Sequence, residues 1–209
     1  MKILCLPDFV GHPICYSAFA SGIKKQSTPK VINYSDLWPY ESLETLACKI
    51  TNTIDLDRYD LLVGYSFGAH VATLCASRSK VARLCLIDPP PLASLRGLTL
   101  DNIRQRLAAD PRYAYVQDLV AAELVDPDCV HGNILLLSRL AHLPPVDAPT
   151  DLLLCASSAV EAVKADYPGG RYWRDDERDH ATIVASHTLI QICLPDAAPH
   201  SGRHPNPCE

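Results

Sequence analysis

Residues 60–68 read DLLVGYSFG, and this stretch decides the fold class of the chain. It begins with an apolar strand, predicted over 60–65, and it contains the pattern G-x-S-x-G at 64–68. A helix of small residues is predicted to follow, over 67–79. The pattern requires this setting of strand, sharp turn and helix when its serine is a nucleophile. We therefore predict that Ser66 is a catalytic nucleophile, against the alternative of a tight turn that happens to contain a serine.

Strand-like and helix-like segments alternate on both sides of this motif. Strands are predicted at 3–6, 31–34, 60–65, 81–87, 151–156 and 170–173, and helices at 41–54, 67–79, 160–165 and 181–193. Strands that alternate with helices predict right-handed crossovers and a parallel sheet that is covered on both faces. The expected fold class is therefore α/β, with a mostly parallel sheet of about six strands and helices on both of its faces.

The alternation stops between residues 92 and 148, where no strand is predicted. Amphipathic stretches there predict helices at 100–109, 113–124 and 130–143. Prolines stand on both sides of the segment. We expect a helical insertion that forms a lid over the site; the alternative is that these helices pack permanently on the sheet. The chain is thus expected to form one domain over 1–193, followed by a proline-rich, flexible tail over 194–209.

A serine hydroxyl is a poor nucleophile until a base takes its proton, and the order of the predicted elements suggests which base. His180 follows the last predicted strand, so it lies at the carboxyl edge of the sheet, where Ser66 also emerges; His12, in the first loop, is the rival base. Asp88 ends an apolar strand at the same edge and is the predicted acid that orients His180. Asp151 is the alternative acid, but it begins its strand at the opposite edge. The predicted catalytic residues are Ser66, Asp88 and His180.

Composition and charge argue against several classes of function. The net charge is −5 and no block of Lys and Arg is present, so a nucleic acid partner is not expected. No apolar run approaches the ~18 residues that a membrane span needs, and no signal peptide is recognisable, so we expect a cytoplasmic protein. The nine cysteines contain no Cys-x-x-Cys pair, which leaves a metal site unsupported. We expect reduced thiols that pack in the core.

Four motifs together resemble one family of enzymes. They are LPDFVG at 6–11 with Tyr16, GYSFG at 64–68, LID at 86–88 and DHATI at 179–183. On these motifs the chain resembles the thioesterases of nonribosomal peptide and polyketide synthesis, a branch of the α/β-hydrolases, from about Lys2 to Cys193. In this family the acid follows the strand after the nucleophile's helix, which is where Asp88 stands. Since nothing like a carrier domain precedes Met1, the discrete, type II-like members resemble the chain most.

The resemblance implies the α/β-hydrolase fold with a lid over about 92–148 and a definite activity. The activity is that of a serine thioesterase, which releases an acyl, peptidyl or polyketide group from a phosphopantetheine thioester by hydrolysis or cyclisation. The implied partner is an acyl or peptidyl carrier protein, or a small-molecule thioester such as that of CoA, without a nucleic acid or a membrane. No metal or bound cofactor is expected, because the pantetheine belongs to the substrate. The resemblance also implies that the backbone N–H groups of Phe9 and Phe67 hold the oxyanion; for Phe67, its place after the nucleophile implies the same.

Four side chains are candidates for contact with the substrate. His12 stands in the loop after the first strand and Tyr65 stands beside Ser66, whereas Leu136 and Leu140 offer apolar surface on the predicted lid. Two other functions fit the same residues. One is a small-molecule carboxylesterase, which needs the same groups and releases an alcohol. The other is a non-catalytic protein of the same fold that binds an acyl carrier.

Overall fold

The sheet that carries the candidate site is parallel throughout. The computed structural model describes residues 1–99, 101–102, 105, 109 and 114–194. Its strands are β1 (Ile3–Leu6), β2 (Lys30–Val31), β3 (Leu61–Tyr65), β4 (Leu84–Ile87), β5 (Thr150–Cys155) and β6 (Arg171–Asp175). They lie in the order β2-β1-β3-β4-β5-β6, and each neighbouring pair is parallel. The predicted parallel sheet of six strands is confirmed, although β2 and β4 are shorter than the strands predicted over 31–34 and 81–87.

Helices connect the strands and cover both faces of the sheet, as predicted. The described helices are α1 (Ser17–Ile23), α2 (Leu43–Thr53), α3 (Phe67–Ala76), α4 (Leu92–Leu95), α5 (Ala114–Ala121), α6 (Pro127–Arg139), α7 (Val160–Asp166) and α8 (His187–Cys193). Single 3₁₀ turns lie at Pro13–Tyr16, Tyr34–Leu37, Leu56–Arg58 and Ile183–Ala185. None of the helices described here has the length and apolar character needed to cross a membrane.

Each face of the sheet supports its own hydrophobic core, because alternate residues of a strand point to opposite faces. Leu62 of β3 lies in the larger cluster with residues of α2, α3 and α6. Its neighbours Leu61 and Val63 lie in the smaller cluster with residues of α1 and α8. Helix α3 is buried along nearly its whole length within the larger cluster. The turn that leads into α3 is therefore held between the sheet and the core.

The last helix, α8, is shorter than the helix predicted over 181–193, and the residues before it form a turn next to His180. The Asp179 carboxylate accepts hydrogen bonds from the backbone N–H and the hydroxyl of Thr182, at 2.9 and 2.8 Å. Further along, the Ser186 hydroxyl accepts from the backbone N–H of Thr188 at 3.0 Å and caps α8. The helix predicted over 181–193 is thus wrong for its first part, because these polar side chains form a turn and start α8 later.

The segment 92–148 divides into parts that pack differently. Its described residues form α4, α5 and α6 and no strand, while the predicted helix over 100–109 lies largely outside the described residues, as does the tail from 195 onward. Helix α6 packs on α2, α3 and α4, with Leu136 and Leu137 in the larger cluster. Helix α5 belongs instead to a small separate cluster made of Val10, Val116, Leu119, Val125 and Val130. Helix α5 is therefore the part of this segment that is set apart from the main core.

Candidate active site

The turn between β3 and α3 holds Ser66 in a strained backbone conformation. Its φ is +53° and its ψ is −116°, a region that residues other than glycine seldom adopt. A Cβ on Gly64 would lie 2.4 Å from the carbonyl oxygen of Gly68, and a Cβ on Gly68 would lie 2.2 Å from the carbonyl oxygen of Leu6. Only glycine fits at these two positions, because α3 approaches both β3 and the end of β1 so closely. The two glycines of the motif thus make the sharp turn possible.

Three side chains from three loops meet at the carboxyl edge of the sheet. Ser66 follows β3, Asp88 follows β4, and His180 lies in the loop after β6. The Ser66 Oγ lies 3.0 Å from His180 Nε2, and His180 Nδ1 lies 2.5 Å from Asp88 Oδ2. With its proton on Nδ1, the imidazole donates to Asp88, and its Nε2 accepts from the Ser66 hydroxyl. The structure thus brings the three predicted residues together in an arrangement that can activate a serine nucleophile.

Donors from β5 and the loop after it hold the Asp88 carboxylate. The Ser158 hydroxyl donates to Oδ1, the Cys155 backbone N–H donates to the same oxygen at 3.4 Å, and the Cys155 thiol donates to Oδ2 at 3.2 Å. Burial alone raises the pKa of the Asp88 carboxyl. The hydrogen bond and charge of His180, together with the bonds from Ser158 and Cys155, outweigh burial and lower this pKa below its usual value. The acid therefore stays ionised and fixed toward His180.

We expect Ser158→Ala to slow the reaction of Ser66 with a fluorophosphonate probe about tenfold. The reason is that the ionised Asp88 loses a hydrogen bond of a kind worth about 1.5–3 kcal/mol, so the imidazole is held less firmly. The rate of labelling is measured by mass spectrometry. Ser157→Ala is the matched control, because Ser157 is exposed and its hydroxyl lies 3.3 Å from the Cys155 sulfur rather than on Asp88. Equal labelling rates for the two variants would show that Ser158 does not position the acid.

Tyr65 connects the nucleophile turn with the loop that carries His180. Its hydroxyl donates to the backbone carbonyl of His180 at 2.6 Å, and the two ring centroids lie 5.3 Å apart. Tyr65 also lines the cavity beside His180, where a substrate contact was predicted for it. Tyr65 also positions the predicted base, because its hydrogen bond to the His180 carbonyl fixes the backbone of that residue.

A cavity of about 420 Å³ opens beside His180. Its apolar walls include Phe9, Ile14, Ala18, Val184 and Ala185. Polar groups line it as well, at Asp8, Tyr65, Tyr115, Arg178, His180 and Thr182. An acyl chain fits such a mostly apolar space, in which a few polar groups fix the orientation of a ligand.

Three predicted substrate contacts do not line this cavity. Leu136 and Leu140 are buried in the larger core cluster, where α6 packs on α2, α3 and α4. His12 caps the 3₁₀ turn that follows it: its Nδ1 accepts from the backbone N–H of Ile14 at 3.2 Å. In this position His12 acts on the backbone, and the base that Ser66 contacts is His180.

The loop after β1 brings Phe9 close to the nucleophile turn. A Cβ on Gly68 would lie 2.3 Å from the Pro7 carbonyl oxygen, so the loop and the start of α3 are in direct contact. The side-chain amide of Asn133 in α6 donates to the Phe9 carbonyl at 2.8 Å and fixes this loop from the other side. Phe67 is the first residue of α3, where backbone N–H groups lack partners within the helix. This proximity supports the prediction that the Phe9 and Phe67 amides form an oxyanion hole.

Asp151 lies at the opposite edge of the sheet from Ser66, as its place at the start of β5 implies. Its carboxylate accepts from Arg171 Nε at 2.5 Å, from Trp173 Nε1 at 2.7 Å and from Arg83 at 3.3 Å. Burial raises the pKa of Asp151, but the bonds from Arg171 and Trp173 outweigh this effect and lower it. Asp151 is thus an ion-paired structural residue that ties together β5, β6 and the residue before β4.

Asp8 and Tyr115 were not among the site residues predicted from the sequence. Asp8 lies one residue before Phe9, is 3% exposed and lines the cavity. The Tyr115 hydroxyl donates to Asp8 Oδ2 at 3.0 Å, and the Val10 N–H donates to Oδ1 at 3.1 Å. Burial raises the pKa of Asp8 to about 6, although the bonds from Tyr115 and Val10 and the charge of His180 lower it. The available signal was an acidic residue two positions after the end of the apolar strand β1, at the edge where the site forms.

Metal ligands and disulfides play no visible part in the described residues. Over this part of the chain, no three side chains of His, Cys, Asp or Glu are grouped so as to hold a metal ion. The cysteines described are free thiols; Cys15 and Cys48 are half-buried and the others are buried.

Comparisons with known proteins give structural relatives. No protein-family model matches the chain, and no curated protein matches it. It is similar to the type II thioesterase BorB from the borrelidin biosynthetic cluster, with 18% identity and a TM-score of 0.68 over 93% of this chain and 89% of that one. It is similar to RedJ, a thioesterase from the prodiginine biosynthetic pathway in Streptomyces coelicolor, with 17% identity and a TM-score of 0.64 over 93% and 83%.

The chain is similar to the same degree to an enzyme that is not called a thioesterase. A Bacillus megaterium epoxide hydrolase shares 12% identity and a TM-score of 0.65 with the chain, over 93% of this chain and 92% of that one. At such identities the likeness concerns the fold and leaves the reaction to be argued from the site. It agrees with the parallel strand order, the sharp turn at Ser66 and the helices on both faces. The chain has the α/β-hydrolase fold.

Proposed function

We propose that this chain is a serine thioesterase that releases an acyl, peptidyl or polyketide group from a phosphopantetheine thioester. The observation that carries the proposal is the continuous hydrogen-bonded series from Ser66 through His180 to Asp88. Support for a thioester substrate comes from the four sequence motifs and from the similarity to BorB and RedJ, which are both called thioesterases. The pantetheine arm belongs to a carrier protein or to CoA in this proposal, and the protein acts in the cytoplasm.

The proposed reaction begins with formation of an acyl-enzyme. The Ser66 Oγ attacks the thioester carbon while His180 Nε2 takes the hydroxyl proton. The backbone N–H groups of Phe9 and Phe67 hold the negative oxygen of the tetrahedral intermediate. The C–S bond then breaks, and His180 gives its proton to the departing thiolate. Asp88 stabilises the imidazolium while it exists.

The second half of the reaction returns the free enzyme. His180 takes a proton from water, and the resulting hydroxide attacks the acyl ester on Ser66. The ester C–O bond breaks, and His180 returns its proton to the Ser66 oxygen. The product is a free carboxylic acid. If a hydroxyl or amine of the acyl chain attacks in place of water, the product is a ring.

Intact mass spectrometry after incubation with a panel of acyl-pantetheine thioesters tests this function. The expected result is release of free thiol and a mass increase, on Ser66, equal to the acyl group. Oxygen esters of the same acyl groups form the second arm, and faster turnover of these would assign the protein to the carboxylesterases. A fluorophosphonate probe forms the third arm: if Ser66 is not labelled, the fold binds acyl groups without turnover.

We further propose that the lid expected over 92–148 is formed, among the described residues, by α5. Tyr115 of α5 lines the cavity, and α5 packs in its small separate cluster above the loop that contains Val10. Helix α6, by contrast, packs on α2 and α3 and contributes to the larger core cluster. A helix held by few apolar contacts opens at low cost in free energy.

Hydrogen exchange checks this lid. We expect the amides of Ala114–Ala121 to exchange faster than those of β3 and β4, since the small cluster buries less apolar surface than the main core. Their exchange should slow when a non-hydrolysable acyl-pantetheine analogue binds. Helix α3 is the internal control, because it is buried in the main core. If α5 is as protected as β3 and ignores the analogue, α5 is part of the core.

A further inference from the structure

Asp8 is a buried carboxyl group inside the cavity that the proposed mechanism does not use. It follows β1 at the carboxyl edge of the sheet, where Ser66 and Asp88 also emerge. It lines the same cavity as Tyr65 and His180 while only 3% of its surface is exposed. A buried carboxylate costs free energy unless hydrogen bonds or an opposite charge compensate it. Its position therefore calls for a compensating partner.

The described residues give Asp8 hydrogen bonds and the nearby imidazole of His180, but no salt bridge. Tyr115 donates to Oδ2, the Val10 N–H donates to Oδ1 and the Gly11 N–H supplies a further bond, which still leaves acceptor capacity among the roughly four positions of a carboxylate. Among the ion pairs of the described residues, none includes Asp8. Lone pairs thus remain available on a charged group that faces an otherwise mostly apolar space.

We propose that Asp8 is a specificity-determining residue that binds a protonated amine on the acyl group of the substrate. This rests on the proposed function and names the substrate class more closely. The Phe9 N–H is the predicted donor to the thioester carbonyl oxygen, and only four bonds separate that nitrogen from the Asp8 carboxyl carbon. The amine that Asp8 binds therefore lies close to the carbonyl, on the α or β carbon. Its N–H groups donate charge-assisted hydrogen bonds to the free positions on the carboxylate.

Several titratable groups face Asp8 and enter its pH dependence. They are Tyr115 from α5, His180 from the loop after β6, Cys15 from the first 3₁₀ turn and Tyr34 from the second. Burial raises the pKa of the Asp8 carboxyl to about 6, so it is mostly ionised at neutral pH. As the pH falls through about 6 in the free protein, Asp8 gains a proton and loses its attraction for a cation. We therefore expect the preference for amines to decline in acid.

The test compares matched acyl-pantetheine thioesters with and without an amine. The pairs are β-alanyl against butyryl and glycyl against propionyl, because in each pair an ammonium replaces a methyl group. The wild-type protein is expected to have the higher kcat/KM for the amine of each pair. Asp8→Asn should lower this ratio about 10- to 100-fold, since the amide keeps the shape and removes the charge. Tyr115→Phe is the control, and it is assayed in alkaline buffer because loss of the Tyr115 bond raises the pKa of Asp8 further. Under these conditions the variant keeps the carboxylate ionised and frees an acceptor position, so the ratio should not fall.

The outcomes separate this proposal from the proposed function. If Asp8→Asn slows both members of a pair equally, or if the wild type shows no preference for the amine, Asp8 only shapes the loop and the proposal is wrong. Binding of the corresponding pantetheine amides, which cannot be hydrolysed in this way, is measured in parallel by calorimetry on Ser66→Ala. An Asp8-dependent preference in binding without turnover of any thioester would overturn the thioesterase function and support the amine site.

Discussion

Replacement of Ser66 by alanine is expected to lower the kcat for acyl-pantetheine hydrolysis by about 10⁶, as the loss of the nucleophile does in other serine hydrolases. Without the Oγ, no acyl-enzyme can form, and His180 has no hydroxyl to deprotonate. The fold should survive, because the change removes only one hydroxyl group and alanine can adopt the same backbone conformation as serine. The rate of thiol release is measured in a discontinuous assay. A melting temperature close to that of the wild type shows that the variant is folded.

Ser17→Ala is the matched control for this experiment. Ser17 begins α1 and also lines the cavity, but among the described contacts its hydroxyl is not bonded to His180. The control should therefore retain nearly all of the activity. A Ser66→Ala protein that still turns over thioesters at a comparable rate would remove Ser66 from the mechanism.

The second largest effect is expected for Asp88→Asn, which should lower kcat by up to about 10⁴. The amide has no negative charge to stabilise the imidazolium. When its N–H group donates to His180 Nδ1, the imidazole keeps its proton on Nε2 and can no longer accept from Ser66. The pH dependence of stability should change as well. The pKa of Asp88 is lowered in the folded protein, so its charge stabilises the fold at neutral pH, and this contribution is lost as the pH falls through the folded pKa.

Two control variants show whether the loss of rate is specific to Asp88. Asp176→Asn breaks only an exposed ion pair with Arg174, near His180 in sequence, and should leave both rate and stability nearly unchanged. Asp151→Asn breaks the ion pairs that the buried Asp151 makes with the partly exposed Arg83 and the exposed Arg171. It should therefore lower the melting temperature but leave the rate of the folded protein within a few-fold. If Asp151→Asn lowers kcat more than Asp88→Asn does, the assignment of the acid is wrong.

The sheet and the three central residues of the site could be predicted because each follows from a local pattern. Ser66 stands between two glycines after an apolar strand, which is enough to predict a strand, a turn and a helix. Asp88 and His180 each come after a predicted strand. In a parallel sheet with right-handed crossovers, such positions share one edge, so topology alone brings distant residues together.

The residues that support the site leave no such pattern. Ser158 reaches Asp88 across 70 positions of sequence, and Tyr115 reaches Asp8 across 107. A serine or an aspartate in a loop is usually a turn residue, and only the packing of the loops shows that it has a distant partner. The pairing of two such residues therefore could not be derived from their sequence context.

The apolar face of a helix can be predicted, but the surface that it faces cannot. The spacing of Leu136, Leu137 and Leu140 predicts an amphipathic helix, and a lid that receives an acyl chain would need the same spacing. In the structure these leucines are buried in the larger core cluster, where α6 packs on α2, α3 and α4. Tyr115, which does line the cavity, stands on a different helix of the segment.

The division of the core by the sheet gives each face its own buried thiols. Cys75 lies in the larger cluster, whereas Cys85 and Cys193 lie in the smaller one. Burial raises the pKa of Cys75 to about 12, and a thiol reacts as its thiolate, so alkylation has to wait until the surrounding layer opens. The rate at which each natural cysteine is alkylated therefore reports how often the core on its face of the sheet opens. The alkylation rate of Cys75 measures the opening of the larger cluster, and the alkylation rate of Cys193 measures the opening of the smaller one.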